Sequence, residues 1–201
     1  KVTQNFAITQ ATQASLSITA TTTSAAYTGS AYTAVPSFAT TGGSGNGAVT
    51  YSVVTGGSAS TCALSSSAAT ATLTATSVGT CLIAATKASD TNYLSATTAT
   101  PLTFTFTASA QTITFTGPTS KTYGDLAFTV SPTASSSLTV ALASTTTSVC
   151  TVSSFTVTIV APGTCTLTAD QSGNSSFSAA TQVSRSFTVA QAAQATLTIS
   201  A

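Results

Sequence analysis

The sequence predicts an all-β chain of two tandem antiparallel β-sandwiches, and three observations carry that prediction. Apolar residues alternate with small polar ones at a period of two, turn residues separate the alternating runs, and one set of motifs occurs twice. A period of two places one set of side chains on a core face and the other in water. Many short runs of this kind with turns between them are the pattern of a sandwich.

The runs are LSITA (16–20), VTYSV (49–53), ATLTA (71–75), LTFTF (102–106), LTVAL (138–142), FTVTI (155–159) and SFTVA (186–190). Thr fills most of the outward positions, and its branched β-carbon favours the extended backbone, so propensity and pattern agree. No segment carries a helical period, and no helix is expected. Turns are predicted at TTGGSGNGA (40–48), VTGGSAS (54–60), SVGT (77–80), FTGPTS (115–120), APGT (161–164) and DQSGNSS (170–176), where Gly, Asn, Asp and Pro supply the required backbone. Such short connections make neighbouring strands mostly antiparallel.

The repeat fixes the domain frame. Gly79, Thr80, Cys81 and Tyr93 recur 84 positions later as Gly163, Thr164, Cys165 and Phe177, and YTGSAYT (27–33) matches YGDLAFT (123–129). FTFTASAQTITF (104–115) resembles SFTVAQAAQATLTI (186–199), and both resemble NFAITQATQASLSI (5–18). The domains therefore run over 13–110 and 111–193, the second lacking a Gly-rich insertion at 42–47. Residues 1–12 read as the last strand of a preceding or neighbouring domain, and 194–201 as the first strand of a following one. The absence of a starting Met suggests a processed or excised piece of something longer. Both end segments imply head-to-tail contact with neighbouring copies of the same repeat or subunit, through a continuous array or by strand addition.

The four cysteines fall two per domain. Cys81 is in phase with Ile83 and Ala85, Cys165 with Leu167 and Ala169, Cys150 with Val152 and Cys62 with Leu64, so all four are expected to point inward. In each domain the first Cys precedes an alternating strand that leads through a Gly turn into the second. The pairs predicted are Cys62 with Cys81 and Cys150 with Cys165; the alternative is four buried free thiols. Disulfides place a protein outside the cytoplasm.

Composition removes whole classes of function. The chain has no His and only Asp90, Asp125 and Asp170 as acids, so the proton carriers of acid–base catalysis and the clustered ligands of a metal site are missing. No enzyme, cofactor or metal is expected. Four basic residues in 201 cannot form a phosphate-tracking stripe, which excludes nucleic acid, and no apolar run is long enough to insert in a membrane as a helix. Ser and Thr make up 80 residues and Ala 36, against 40 for Leu, Ile, Val and Phe together, so any core is thin and built largely from small residues. Tyr51 is in phase with Val49 and Val53 and reads as core. Tyr93 aligns with Phe177, and loss of the hydroxyl argues for packing. Asp90 aligns with Asn174 and Thr86 with Asp170, while Lys121 and Asp125 are close enough for a surface pair. Asn174 heads an Asn-Ser-Ser sequon and is a candidate for N-glycosylation, and the dense Ser and Thr are candidates for O-linked glycan.

With these motifs in hand, residues 121–180 resemble the Ig-like repeats found in tandem in large secreted or surface proteins of bacteria. There a YGD segment (Tyr123), an SVC segment (Cys150), a GTC segment (Cys165) and a Gly-Asn segment before an aromatic (Gly173, Asn174, Phe177) recur in that order. SGNGAVTYSVVTGGSASTCALS (44–65) with GTCLIAATKASDTNY (79–93) resembles a longer variant. Phe177 departs from the more usual Tyr. The resemblance implies Ig-like sandwiches without activity, serving as structural modules of an extracellular filament, sheath or surface-protein stalk. The alternative is an adhesin module that binds glycan or a host surface through the 42–47 loop and nearby Tyr.

Overall fold

The computed structural model describes residues 3–28 and 31–195, and it is built of strands, with no helix among the described residues. It divides into two compact units, Lys1–Ser109 and Ala110–Ala201. Of the expected following strand, 196–201 lie outside the described residues, while Gln194 and Ala195 are exposed and outside any strand.

In the first unit the strands are β1 (Leu16–Ala20), β2 (Ser24–Ala26), β3 (Tyr32–Ala34), β4 (Phe38–Gly42), β5 (Val49–Val54), β6 (Ala63–Leu64), β7 (Leu73–Ala75), β8 (Gly79–Lys87), β9 (Ala96–Thr97) and β10 (Leu102–Thr107). One layer holds β1 paired to β4 and the ribbon β3-β7-β6; the other runs β2-β10-β8-β5, with β9 also on β8. The second unit repeats the plan with β11 (Ile113–Thr114), β12 (Lys121–Thr122), β13 (Phe128–Thr129), β14 (Thr133–Ala134), β15 (Ala141–Ser144), β16 (Cys150–Ser153), β17 (Thr156–Ile159), β18 (Gly163–Asp170) and β19 (Val183–Ala190). Its layers are β11-β14 with β13-β17-β16, and β12-β19-β18-β15. Both units are Ig-like sandwiches.

Two local features explain this order. Pro36 lies between β3 and β4, and Pro132 between β13 and β14, both buried. Proline has no N–H for the ladder, so one extended stretch changes partners there: β3 pairs with β7, while β4 pairs with β1. The first strand region of each unit also changes layers, which creates one parallel pair per unit, β2 with β10 and β12 with β19, in otherwise antiparallel sheets.

Each core collects side chains from both layers. In unit 1, Ile18, Tyr32, Phe38 and Leu73 meet Tyr51, Ile83, Phe104 and Phe106. In unit 2, Ile113, Phe115, Val130 and Val157 meet Val140, Leu167, Phe187 and Val189. Tyr51 is buried as its phase requires, with Phe38 stacked at 5.1 Å between ring centroids. The alternating run at 138–142 becomes strand only from Ala141. Ser137 has φ 62°, the Leu138 amide donates to Ser136 Oγ and the Thr139 carbonyl accepts from Gln171, so side chains take the backbone groups that a ladder would have used.

Candidate functional site

The twice-written segment comprises β8 or β18 and the turn that follows, and its residues divide into a start, a cross-link and a cap. At the start, Gly79 and Gly163 adopt φ of +131° and +141°, a region that L side chains rarely enter. At Gly79 a β-carbon would also meet the backbone of Ser58 and Ala59 at 2.6–2.8 Å. The Gly of each Gly-Thr-Cys triplet is thus a backbone requirement.

Two residues on, the cysteines tie the layers together. Cys62 is bonded to Cys81, with Cα atoms 5.8 Å apart, and Cys150 to Cys165, with Cα atoms 5.7 Å apart. Cys81, Cys150 and Cys165 are fully buried, whereas Cys62, just before β6, is half-buried beside a shallow groove lined by Val53, Gly57 and Leu82. Cys150 on the edge strand β16, and Cys62 next to the edge strand β6, are each tied to a central strand of the other layer. Phe104 stands opposite Cys81 on the next strand, and Phe187 opposite Cys165, which packs the last strand of each unit over its cross-link.

The cap lies beyond the strand. Asp90 Oδ1 accepts from the amides of Asn92 and Tyr93 at 2.8 and 2.9 Å; Asn174 Oδ1 accepts from Ser176 and Phe177 at the same distances. The turn needs only an acceptor oxygen at this position, so Asp and Asn interchange. The carboxylate has one further use: Asp90 Oδ2 accepts from the Asn46 amide at 2.6 Å, holding the Gly-rich insertion that unit 2 lacks. The amides of Asn92, Asn46 and Tyr93 hold Asp90 below its ordinary pKa of 3.8, with Lys87 adding to the effect and desolvation opposing it.

Gln side chains, which the sequence reading did not single out, fasten the start of each unit to the same region. Gln13 donates to the Ala88 carbonyl at 3.1 Å and accepts from the Ser44 amide. The buried Gln111 donates to Gln171 Oε1 at 2.6 Å and to the Ser178 carbonyl at 2.7 Å, and accepts from Ser136. Their recurrence just before the first strand of each unit was the available signal.

The remaining singled-out residues have structural partners. Asp170 accepts from Gln182 at 2.8 and 3.0 Å, and the equivalent Thr86 meets Thr97 at 2.8 Å. Lys121 is placed over the Phe128 ring, 4.7 Å from its centroid, while Asp125 accepts from the Thr122 amide. Asn174 is exposed. Tyr32 and Tyr51 are buried, Tyr27 and Tyr93 half-buried, and Tyr123 is 48% exposed. No group of three or more His, Cys, Asp or Glu able to hold a metal occurs among the described residues, and no helix there is long and apolar enough to cross a membrane.

No protein-family model and no curated protein matches the sequence. Solved structures similar to it include mouse cadherin-23 EC22–24, at 11% identity over 89% of this chain and 67% of that one, with a TM-score of 0.40. The titin domains Z1Z2 in complex with telethonin share 17% identity over 92% and 100% of the two chains, with a TM-score of 0.44. Domains 4 and 5 of the S-layer protein SbsC share 17% over 90% and 100%, with a TM-score of 0.32. At such distance the chain's own sheet order, rather than these likenesses, defines the fold.

Proposed function

We propose that the chain is a structural module of an extracellular filament, sheath or surface-protein stalk, a rigid spacer without catalysis that meets neighbouring copies head to tail. The observation that carries this reading is that the repeated motifs are used up by architecture. The Gly-Thr-Cys start, the cross-link and the Asx cap each hold backbone or bridge layers, and they do so in both units. Aromatic side chains support the same reading: Tyr32, Tyr51, Phe104 and Phe106 fill the core of unit 1, and Tyr93, whose ring lies against Gly45 of the 42–47 loop, is half-buried. Two disulfides support an oxidising, extracellular location.

The test is negative-stain electron microscopy of the native material, with mass measured under denaturing, non-reducing conditions. Rods or filaments are expected, and the mass separates subunits of about 20 kDa from a long covalent array. Dispersed small particles that bind immobilised glycans would overturn the reading in favour of an adhesin module.

A further inference from the structure

Single exposed apolar side chains are ordinary, whereas two large ones side by side on a segment exposed along its length offer a partner a surface to cover. Phe6 is 84% exposed and Ile8 97% exposed, and residues 3–12 are exposed throughout. Its end is attached to unit 1 by an isolated bridge, Ala11 parallel to Tyr93, and by the Gln10 side chain, which donates to the Asp90 carbonyl. The sequence around Phe6 and Ile8 occurs twice more. Phe6, Ile8 and Gln13 have the spacing of Phe104, Phe106 and Gln111, and again of Phe187, Val189 and Gln194.

In the second and third occurrences the apolar pair lies in a last strand. Phe104 and Phe106 are 0% and 1% exposed, Phe187 and Val189 5% and 2%. Each Phe stands opposite the Cys of a Gly-Thr-Cys strand. The Gln seven residues after the Phe opens the next unit, through the Gln13 and Gln111 bonds described above. The first occurrence therefore has the side chains and spacing of a last strand, and a Gln that already does its part in unit 1. What it lacks is the sandwich. Units 1 and 2 cannot supply one, because β10 and β19 already fill those positions.

We propose that residues 4–9 form the last strand of a third Ig-like unit, the one preceding unit 1 in head-to-tail order. They would pair antiparallel with that unit's Gly-Thr-Cys strand, with Phe6 opposite its Cys and Ile8 in its core. The inference rests on the structural-module reading and names the partner surface: a sandwich of this repeat in which no other strand occupies the last position.

Hydrogen exchange on the native material, read by mass spectrometry on peptides covering 3–12 and 102–109, tests it. The amides of 4–9 are expected to be protected to within about tenfold of those of β10, as core strands are. A Phe6→Asp/Ile8→Asp variant is expected to lose that protection by about a hundredfold or more while units 1 and 2 melt unchanged. Exchange of 4–9 at free-chain rates in the native material overturns the inference, and if rods are still seen the structural-module reading survives it. Protection of 4–9 in particles that form no rod does the reverse. The denaturing mass distinguishes a covalently joined preceding unit from one on a separate chain.

Discussion

Replacing both Cys150 and Cys165 by Ala is the sharpest test of what holds these thin cores together. The bond closes a loop with a sequence separation of 15, and restricting the unfolded chain over such a loop contributes about 3 kcal/mol. For a unit of this size each kcal/mol moves the midpoint by about 4–8 °C, so a fall of about 15 °C is expected for unit 2. Calorimetry on the whole two-unit chain provides an internal control, because the unit 1 transition should stay in place. Reducing the wild-type protein with a phosphine should lower unit 2 by a similar amount, which separates the cross-link from the lost sulfur volume. A fall of less than about 5 °C in both experiments would refute the reasoning, since the side chains around Val157 and Leu167 would then suffice to hold the layers.

Gly79→Ala should destabilise by about 1–3 kcal/mol, and by more than Gly163→Ala, because both positions have positive φ but only Gly79 also faces backbone at under 3 Å; urea denaturation of the two variants checks the order. Phe104→Ala should cost about 3–5 kcal/mol, measured the same way, as the side chain is fully buried over the Cys62–Cys81 bond. Asp90 has a folded pKa below 3.8, so its hold on the 42–47 loop is complete above the ordinary carboxylate value and is lost as pH falls through the depressed one. The protection factor of the Asn46 amide, its exchange taken relative to the intrinsic rate at each pH, should fall over that acid range in the wild type, and in Asp90→Asn it should be lower at neutral pH as well. Ser52→Lys on the outward face of β5 should reduce lateral association in light scattering at high concentration without moving the melting midpoint.

The fold was legible where alternation was long. LSITA became β1 without adjustment, and Tyr51, Phe104 and Phe106 lie on the faces that their phase assigns. It was less legible where strands are two or three residues long, as at β3, β6, β11 and β13, since so few positions show no period. Phe38 was missed as a core residue because its strand, FATTG, loses its apolar alternation after the first residue. The parallel pairs were hidden because a change of layer leaves no mark on composition. In the repeated segment, the alignment of Asp90 with Asn174 showed that a charge was dispensable there, but only the Asn46 bond shows why one copy has it. Gln111 and Gln171 look like surface residues by type, and their burial follows from a mutual bond that no local pattern encodes.

A chain with 3% charged residues has few Lys to guard its sheet edges, Lys121 on the edge strand β12 being one, so the other edges must be managed by geometry. In one layer the outer strand β6 has only two residues, too few to template another chain. In the other layer β2 and β12 cover one side of the last strands β10 and β19 in parallel. The opposite edge is less guarded: β5 runs for six residues, VTYSVV, and β15 for four, neither with a charge. For a dispersed monomer such an edge is a hazard. For a repeat whose neighbours are fixed head to tail it is tolerable, because lateral pairing then joins modules that are already aligned. Low charge, disulfide-bridged cores and a half-open sheet edge are therefore mutually consistent with the proposed role as an assembling module.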